Sequence, residues 1–265
     1  MEYFIEADQI DLNATFNCGQ CFRWNRCQDG IYIGFVGSKT IKVRQEKNGL
    51  TLLNTVKKDI PYWERYFCAD MDYSALIKRF SEDATLKKAC EFAPGIRVLR
   101  QEPYETLISF IISQNNNIKR ITSIIEKICA EFGNESFSNP SVLASLSEQE
   151  LTAVGAGYRA RYIVDAAKKV NSGKIILDEI AKMPYNVAKG ELLKIVGVGD
   201  KVADCVLLFG FNKMEAFPKD VWVKRAIAEY YPVEKGFCGA LPDCTKGYEG
   251  LAQQFLFHYI RMNSR

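Results

Sequence analysis

The sequence predicts an α+β fold: a small N-terminal antiparallel β-sheet domain packed on a larger, all-helical body. Three observations predict it. Residues 1–82 carry short runs of β-branched and aromatic residues separated by turn dipeptides. Residues 83–265 have helical periodicity throughout. A Gly-Val-Gly turn at 197–199 lies between two apolar helical runs, within about 186–211.

In chain order, IYIGFVG (31–37), TIKVRQ (40–45) and GLTLLNTV (49–56) read as strands, with Asp-Gly, Gly-Ser and Asn-Gly as turn signals around them. Pro103 opens a helix through Leu107, Ile108, Phe110 and Ile111, and another runs through Ile121, Ile124, Ile125 and Ile128. Ser147 with Glu150 has capping-box spacing. Further helices are expected at about 160–171, 186–195, 200–211, 221–231 and 246–261, and no internal repeat or low-complexity linker interrupts them.

Composition narrows the chemistry. Of 265 residues 48% are apolar, enough for a real core, and no apolar run reaches the roughly 18 residues of a membrane span. The acidic N-terminus fits neither a signal nor a transit peptide, so a cytoplasmic protein is expected, nucleoid-associated if prokaryotic, with no membrane partner. Lys plus Arg exceeds Asp plus Glu only 35 to 32, so any nucleic-acid contact must come from a local surface. The single histidine, His258, disfavours His-rich metal sites. Nine cysteines at irregular spacing are expected to be reduced thiols. Cys18 and Cys21 form a lone CxxC, with only Cys27 nearby, and read as incidental thiols before zinc ligands. Cys238 and Cys244 are too sparse for a four-cysteine iron–sulfur cluster.

The sharpest motif is LLKIVGVGDKVADCVLLFGF (192–211). A helix ends near Val196, Gly197 and Gly199 permit a tight hairpin, and a second helix starts near Asp200. Such a hairpin can be a plain αα-turn. The pattern LxxIxGVGxKxA is instead that of a helix-hairpin-helix, whose backbone N–H groups and helix end grip phosphate. Lys201 falls on the first turn of the second helix. A free lysine amine is only about 0.1% neutral near pH 7.4, and a positive helix end with a desolvated pocket favours the neutral, nucleophilic form. Alone, Lys201 reads as a phosphate-contacting or merely solvated lysine. Asp220, 19 residues later in AFPKDVWVKRAI, precedes a helical run as an N-cap and supplies a carboxylate that can stabilise positive charge on a sugar.

With these residues in view the chain resembles the helix-hairpin-helix DNA glycosylases, and more closely the 8-oxoguanine DNA glycosylase/lyase family. The blocks GQCFRW (19–24), RQEPYETLISFIISQNNNIKRI (100–121), GYRARYI (157–163), GVGDKVADC (197–205), PKDV (218–221) and LAQQFLF (251–257) match it in order and span nearly the whole chain. The resemblance implies a bifunctional glycosylase and AP lyase acting on double-stranded DNA that contains oxidised guanine. Lys201 would attack the sugar C1′ and form a Schiff base, Asp220 would stabilise the oxocarbenium-like charge, and β-elimination would cut the strand. Phe257 and Cys205 would sandwich the extruded base, Gln253 would bond its Watson–Crick edge, and the Gly19 carbonyl would accept the N7 hydrogen that guanine lacks. Asn115 would fill the hole in the duplex and Tyr158 would wedge beside the orphaned partner. Arg120 and Arg159 would donate to that partner, which implies a preference for cytosine. Gly197 and Gly199 would contact the DNA backbone.

Taken singly, these residues have plainer readings: a core aromatic at 257, a surface amide at Gln253, a buried thiol at 205, a turn at Gly19, a capping loop at Asn115–Asn117 and a solvated helix face at Arg120 and Arg159. The chain also departs from the family. Trp222 stands where many relatives carry a phosphate-contacting histidine, and His258 has no catalytic counterpart. No metal or organic cofactor is required by the implied chemistry; a cation on the hairpin carbonyls is left open, and a monomer is expected. Two rivals remain, a monofunctional glycosylase for alkylated bases, which Lys201 disfavours, and a non-catalytic DNA scaffold, which the Lys201–Asp220 pair disfavours.

Overall fold

The computed structural model describes residues 2–27, 29–232 and 240–263. Five strands, β1 (Tyr3–Glu6), β2 (Trp24–Arg26), β3 (Ile31–Val36), β4 (Lys39–Glu46) and β5 (Gly49–Leu52), form one antiparallel sheet in the order β1-β5-β4-β3-β2. The N-terminal region is not all strand, however. Helix α1 (Leu12–Asn17) intervenes between β1 and β2, capped by Asp11 accepting from the Ala14 N–H at 2.9 Å. Helices α2 (Ile60–Tyr66), α3 (Tyr73–Phe80) and α4 (Ala84–Phe92) follow the sheet. Asp72 and Asp83 accept from N–H groups of the first turns of α3 and α4. Side-chain capping of this kind satisfies otherwise orphaned donors and lets short helices form where strand-like residues abound.

The sheet buries Ile5, Ile41, Val43, Leu50 and Leu52 against Trp63, Tyr66 and Phe67 of the α2 end. Trp24 stacks on Phe16 with ring centroids 4.1 Å apart, and its indole N–H donates to the Tyr66 hydroxyl at 2.9 Å. Tyr73, Leu76 and Phe80 of α3 belong instead to the helical core.

The helical body continues with α5 (Pro103–Ser113), α6 (Ile118–Phe132), α7 (Pro140–Ser145), α8 (Glu148–Ala153), α9 (Ala160–Asn171) and α10 (Leu177–Lys182). It is completed by α11 (Tyr185–Leu192), α12 (Asp200–Phe211), α13 (Val221–Tyr230) and α14 (Glu249–Asn263). Ile121, Ile124, Ile125 and Ile128 form the buried stripe of α6, each fully buried side chain of this size contributing about 1.5–3 kcal/mol. The capping box at Ser147 and Glu150 is present. Helix α11 stops at Leu192, short of the end expected near 195, because the Lys194 and Ile195 N–H groups bond the Glu191 and Leu192 carbonyls three residues back rather than four.

Two connections lock sheet to helices and thereby place the site. Glu105 of α5 accepts from the Gly37 N–H at 2.8 Å and pairs with Arg23 at 3.3 Å. Gln20, just before β2, bridges with its whole side chain. Its amide donates to the Thr15 and Arg97 carbonyls at 2.9 and 2.7 Å, and its oxygen accepts from the Leu99 N–H at 2.8 Å. No helix among the described residues is long and apolar enough to cross a membrane.

Candidate active site

Helix α12 is the spine of the site. It packs against α5, where Phe209 stacks on Phe110 at 5.3 Å between centroids. The hairpin before it needs Gly197 twice over: its φ is +80°, and a Cβ there would run into the Tyr162 ring of α9. Gly199 caps α12 through its backbone alone, so the first-turn N–H groups face outward without a side-chain partner.

Lys201, on that first turn, is half-buried, with its amine 5.2 Å from the Phe110 ring centroid. One turn further on, burial pushes the Cys205 thiol up to about 11. Lys201, hydrogen-bonded to it, pulls the other way, while Asp220 and Asp204 add to the upward push. The thiol therefore stays protonated at neutral pH and acts as a small apolar wall. Asp220 does cap α13, its carboxylate accepting from the Val223 N–H at 2.8 Å, which fixes its rotamer.

These groups converge. Gly19, Lys201, Cys205, Asp220, Gln253 and Phe257 all line one cavity of about 40 Å³. That is room for roughly one water, so a purine enters only if a wall moves. The cavity shares Gly19, Phe110, Lys201, Asp220 and Phe257 with a groove of about 870 Å³. Asn115, Tyr158 and Gly199 also line this groove. An amine and a carboxylate thus share the wall of a recess that opens onto a groove of nucleic-acid scale.

Gly19 has φ +81°, and a Cβ built on it would sit 3.6 Å from the Phe257 ring. The ring leaves room for a Cβ, so it is the left-handed backbone, rather than the contact, that favours glycine here. The Gln20 bridge and the Gln101 amide, which donates to the Gln20 carbonyl at 2.8 Å, hold this stretch rigidly. Gln253 is 3% exposed and accepts from the Gln254 amide at 3.2 Å.

The asparagine run divides its work. Asn117 caps α6, accepting from the Arg120 N–H at 3.0 Å, and Asn116 donates to the Ile112 carbonyl at the end of α5. Asn115 lies exposed in the groove with φ +46°, a left-handed conformation that asparagine tolerates. Arg159, expected at an estranged base, is instead buried beneath this turn. It donates to the Asn115 carbonyl at 2.9 Å and twice to the Gln114 carbonyl, through Nε at 2.8 Å and through Nη2. Its guanidinium also lies 4.5 Å from the Tyr158 ring centroid, and the exposed Tyr158 hydroxyl donates to Gln114. Arg120 is exposed on the first turn of α6 and outside the groove lining.

Further residues line the cavity and the groove besides those expected to contact DNA or base. Gln254, beside Gln253, also faces the cavity; two buried adjacent glutamines on one helix were the available hint. Trp222 lines the groove with the Arg225 guanidinium 5.3 Å from its ring, and Lys219, Lys224 and Arg261 add positive charge there. His258 is in neither cavity; burial and then Arg261 hold its imidazole below the usual range, with Asp11 opposing. Cys18 and Cys21 are buried, and burial pushes the Cys18 thiol up to about 12; Cys238 lies outside the described residues. Among the described residues no three His, Cys, Asp or Glu side chains gather as a metal site.

Comparison with known proteins gives the family. Residues 2–107 match the family model described as 8-oxoguanine DNA glycosylase, N-terminal domain, and residues 108–236 that of the HhH-GPD superfamily base excision DNA repair protein. The N-glycosylase/DNA lyase of Saccharomyces cerevisiae is 33% identical over 86% of this chain and 70% of its own length. The structure of MBOgg1 in complex with a low-affinity DNA ligand superposes with a TM-score of 0.93 at 37% identity, covering 100% of this chain and 96% of that one. The Clostridium acetobutylicum 8-oxoguanine glycosylase/lyase, solved with double-stranded DNA containing cytosine opposite 8-oxoG, gives 0.91 at 34%, covering 100% and 99%. The chain belongs to the 8-oxoguanine DNA glycosylase family, the N-glycosylase/DNA lyases of the helix-hairpin-helix base excision repair superfamily.

Proposed function

We propose that this enzyme excises 8-oxoguanine paired with cytosine from double-stranded DNA and then cleaves the strand, with Lys201 as the nucleophile. The observation that carries the reading is the convergence of Lys201 and Asp220 with Gly19, Cys205, Gln253 and Phe257 on one cavity beside the Asn115–Tyr158 groove.

The damaged nucleotide leaves the stack, and Asn115 occupies the space it vacates while Tyr158 wedges beside its partner. The base enters from the groove by displacing the Phe257 ring, then lies between that ring and the Cys205 thiol, with Gln253 on its edge. The Gly19 carbonyl accepts the N7 hydrogen of 8-oxoguanine; in guanine N7 offers a lone pair, and attraction becomes repulsion. The neutral amine of Lys201 adds to C1′ as the glycosidic bond breaks, its electron pair leaving on the base, which then takes up a proton. The carboxylate of Asp220 stabilises the positive charge that develops on the sugar. Loss of an amine proton and opening of the sugar ring yield the Schiff base. Removal of a C2′ proton then expels the 3′ phosphate. Amine and carboxylate suffice, so the reading invokes no metal or organic cofactor, and a single chain carries every group.

Gly197, Gly199 and the positive side chains around Trp222 hold the phosphates. Arg120 donates to the orphaned cytosine from its exposed turn, and Arg159 joins it only by releasing the carbonyls of Gln114 and Asn115. Single-turnover base release from duplexes carrying 8-oxoguanine opposite each of the four bases tests the reading. Release is expected to be fastest opposite cytosine and absent for undamaged guanine; equal release of guanine, or release of alkylated bases only, overturns it.

A further inference from the structure

Helix α12 carries two carboxylates beside Lys201: Asp200 immediately before it and Asp204 one turn later. On a helix, residues three and four apart are neighbours, so Asp204 is within reach of a lysine at 201. An ion pair there would hold the amine as ammonium and oppose nucleophilic attack.

The structure shows where those carboxylates go. Lys189 of α11 places its amine 3.1 Å from Asp200 and 3.0 Å from Asp204. Asp204, 5% exposed, also accepts from the Tyr185 hydroxyl at 2.7 Å. Burial raises the Asp204 carboxyl, with Tyr185 and Lys189 pulling it down. Burial likewise works against the charge of Lys189, but hydrogen bonds to Asp204 and Asp200 outweigh it and hold that ammonium above its usual range.

We propose that Lys189 is a positioning residue: by occupying both Asp200 and Asp204 it keeps the carboxylates of α12 from pairing with Lys201 and so leaves that amine free to react. The inference rests on the reading of Lys201 as nucleophile. The other ionisable groups near Lys201 are Cys205 on its own helix, Asp220 and Lys219 at the α13 end, and Cys18 from the α1 end. Lys224 of α13 and Arg261 of α14 face the same groove, and α5 brings the Phe110 ring without charge. Asp220 is fixed on the Val223 N–H, so Asp204 and the exposed Asp200 are the carboxylates that loss of Lys189 would release, Asp204 being the buried one.

The test is the pH profile of borohydride trapping on a duplex containing 8-oxoguanine, for the full chain and for Lys189→Gln, whose amide still bonds Asp204 without neutralising it. The profile of Lys189→Gln is expected to move up by about one pH unit, roughly tenfold slower trapping near neutrality, and to reach the unsubstituted plateau at high pH. Lys189→Arg is expected to restore the original profile, and Asp204→Asn added to Lys189→Gln to return it most of the way. Should Lys189→Gln fail to fold, Lys189→Met is expected to shift the profile upward in the same way and Lys189→Met/Asp204→Asn to return it most of the way. An unshifted Lys189→Gln profile, a uniform loss at every pH, or no rescue by Asp204→Asn overturns the proposal. If the unsubstituted chain gives no lesion-dependent adduct, it is the reading of Lys201 that fails.

Discussion

The guanidinium of Arg159 donates to the backbone carbonyl of Asn115 at 2.9 Å, so a buried charge underpins the left-handed turn that offers Asn115 to the groove. Hydrogen bonds from a charged donor contribute about 1.5–3 kcal/mol each, and their loss leaves buried acceptors unpaired. Arg159→Ala is therefore expected to lower stability by about 3 kcal/mol in urea denaturation. Asn115→Ala should stay within about 0.5 kcal/mol of the unsubstituted chain yet weaken the lesion complex. Unchanged stability of Arg159→Ala would contradict the assignment.

Phe257 and Gly19 lie side by side in the wall of the cavity. Phe257→Ala should cost the lesion complex about 1–3 kcal/mol of stacking while leaving affinity for undamaged duplex almost unchanged. Gly19→Ala should act differently, because a side chain at φ +81° strains the backbone and shifts the carbonyl that faces the cavity. Loss of discrimination between 8-oxoguanine and guanine, measured as the ratio of release rates, is the expected effect; an unaltered ratio argues against a reading role for this stretch of backbone.

The junction between sheet and helices should respond to pH. Burial raises the Glu105 carboxyl to about 7, against the pull of Arg23 and the Gly37 N–H. The folded chain thus holds this proton at a higher pH than the unfolded chain does. Its contribution is most favourable below the ordinary carboxyl range and diminishes as pH rises from about 4.5 to about 7. Glu105→Gln removes that dependence. Relative to the variant, the unsubstituted chain should lose on the order of 3 kcal/mol between pH 4.5 and 7.5 in denaturation series, and parallel stability curves would refute this.

Much of this arrangement was legible in the sequence because it depends on local pattern. The α9 helix, the capping box at Ser147, Lys201 on the first turn of α12 and Asp220 as an N-cap all follow from short-range spacing. Helices α1 and α3 did not, since each is short and its cap, Asp11 or Asp72, stands within a region whose neighbouring runs read as strands. Long-range partners were equally hidden. Gln20 bonds residues 77 and 79 positions away, and nothing in the run of asparagines announces that Arg159, 44 positions from Asn115, supports it. Lys189 was overlooked for a related reason: a lysine on an amphipathic helix gives no sign of bridging two carboxylates of the next one.

The most direct test of the central claim is borohydride trapping on a duplex with 8-oxoguanine opposite cytosine, run beside a guanine duplex and the Lys201→Gln variant. A covalent adduct is expected only with the lesion and only when Lys201 is present, while Lys201→Gln still binds the lesion duplex. An adduct that persists in Lys201→Gln, or base release without any adduct, would contradict the assignment of Lys201 as the nucleophile.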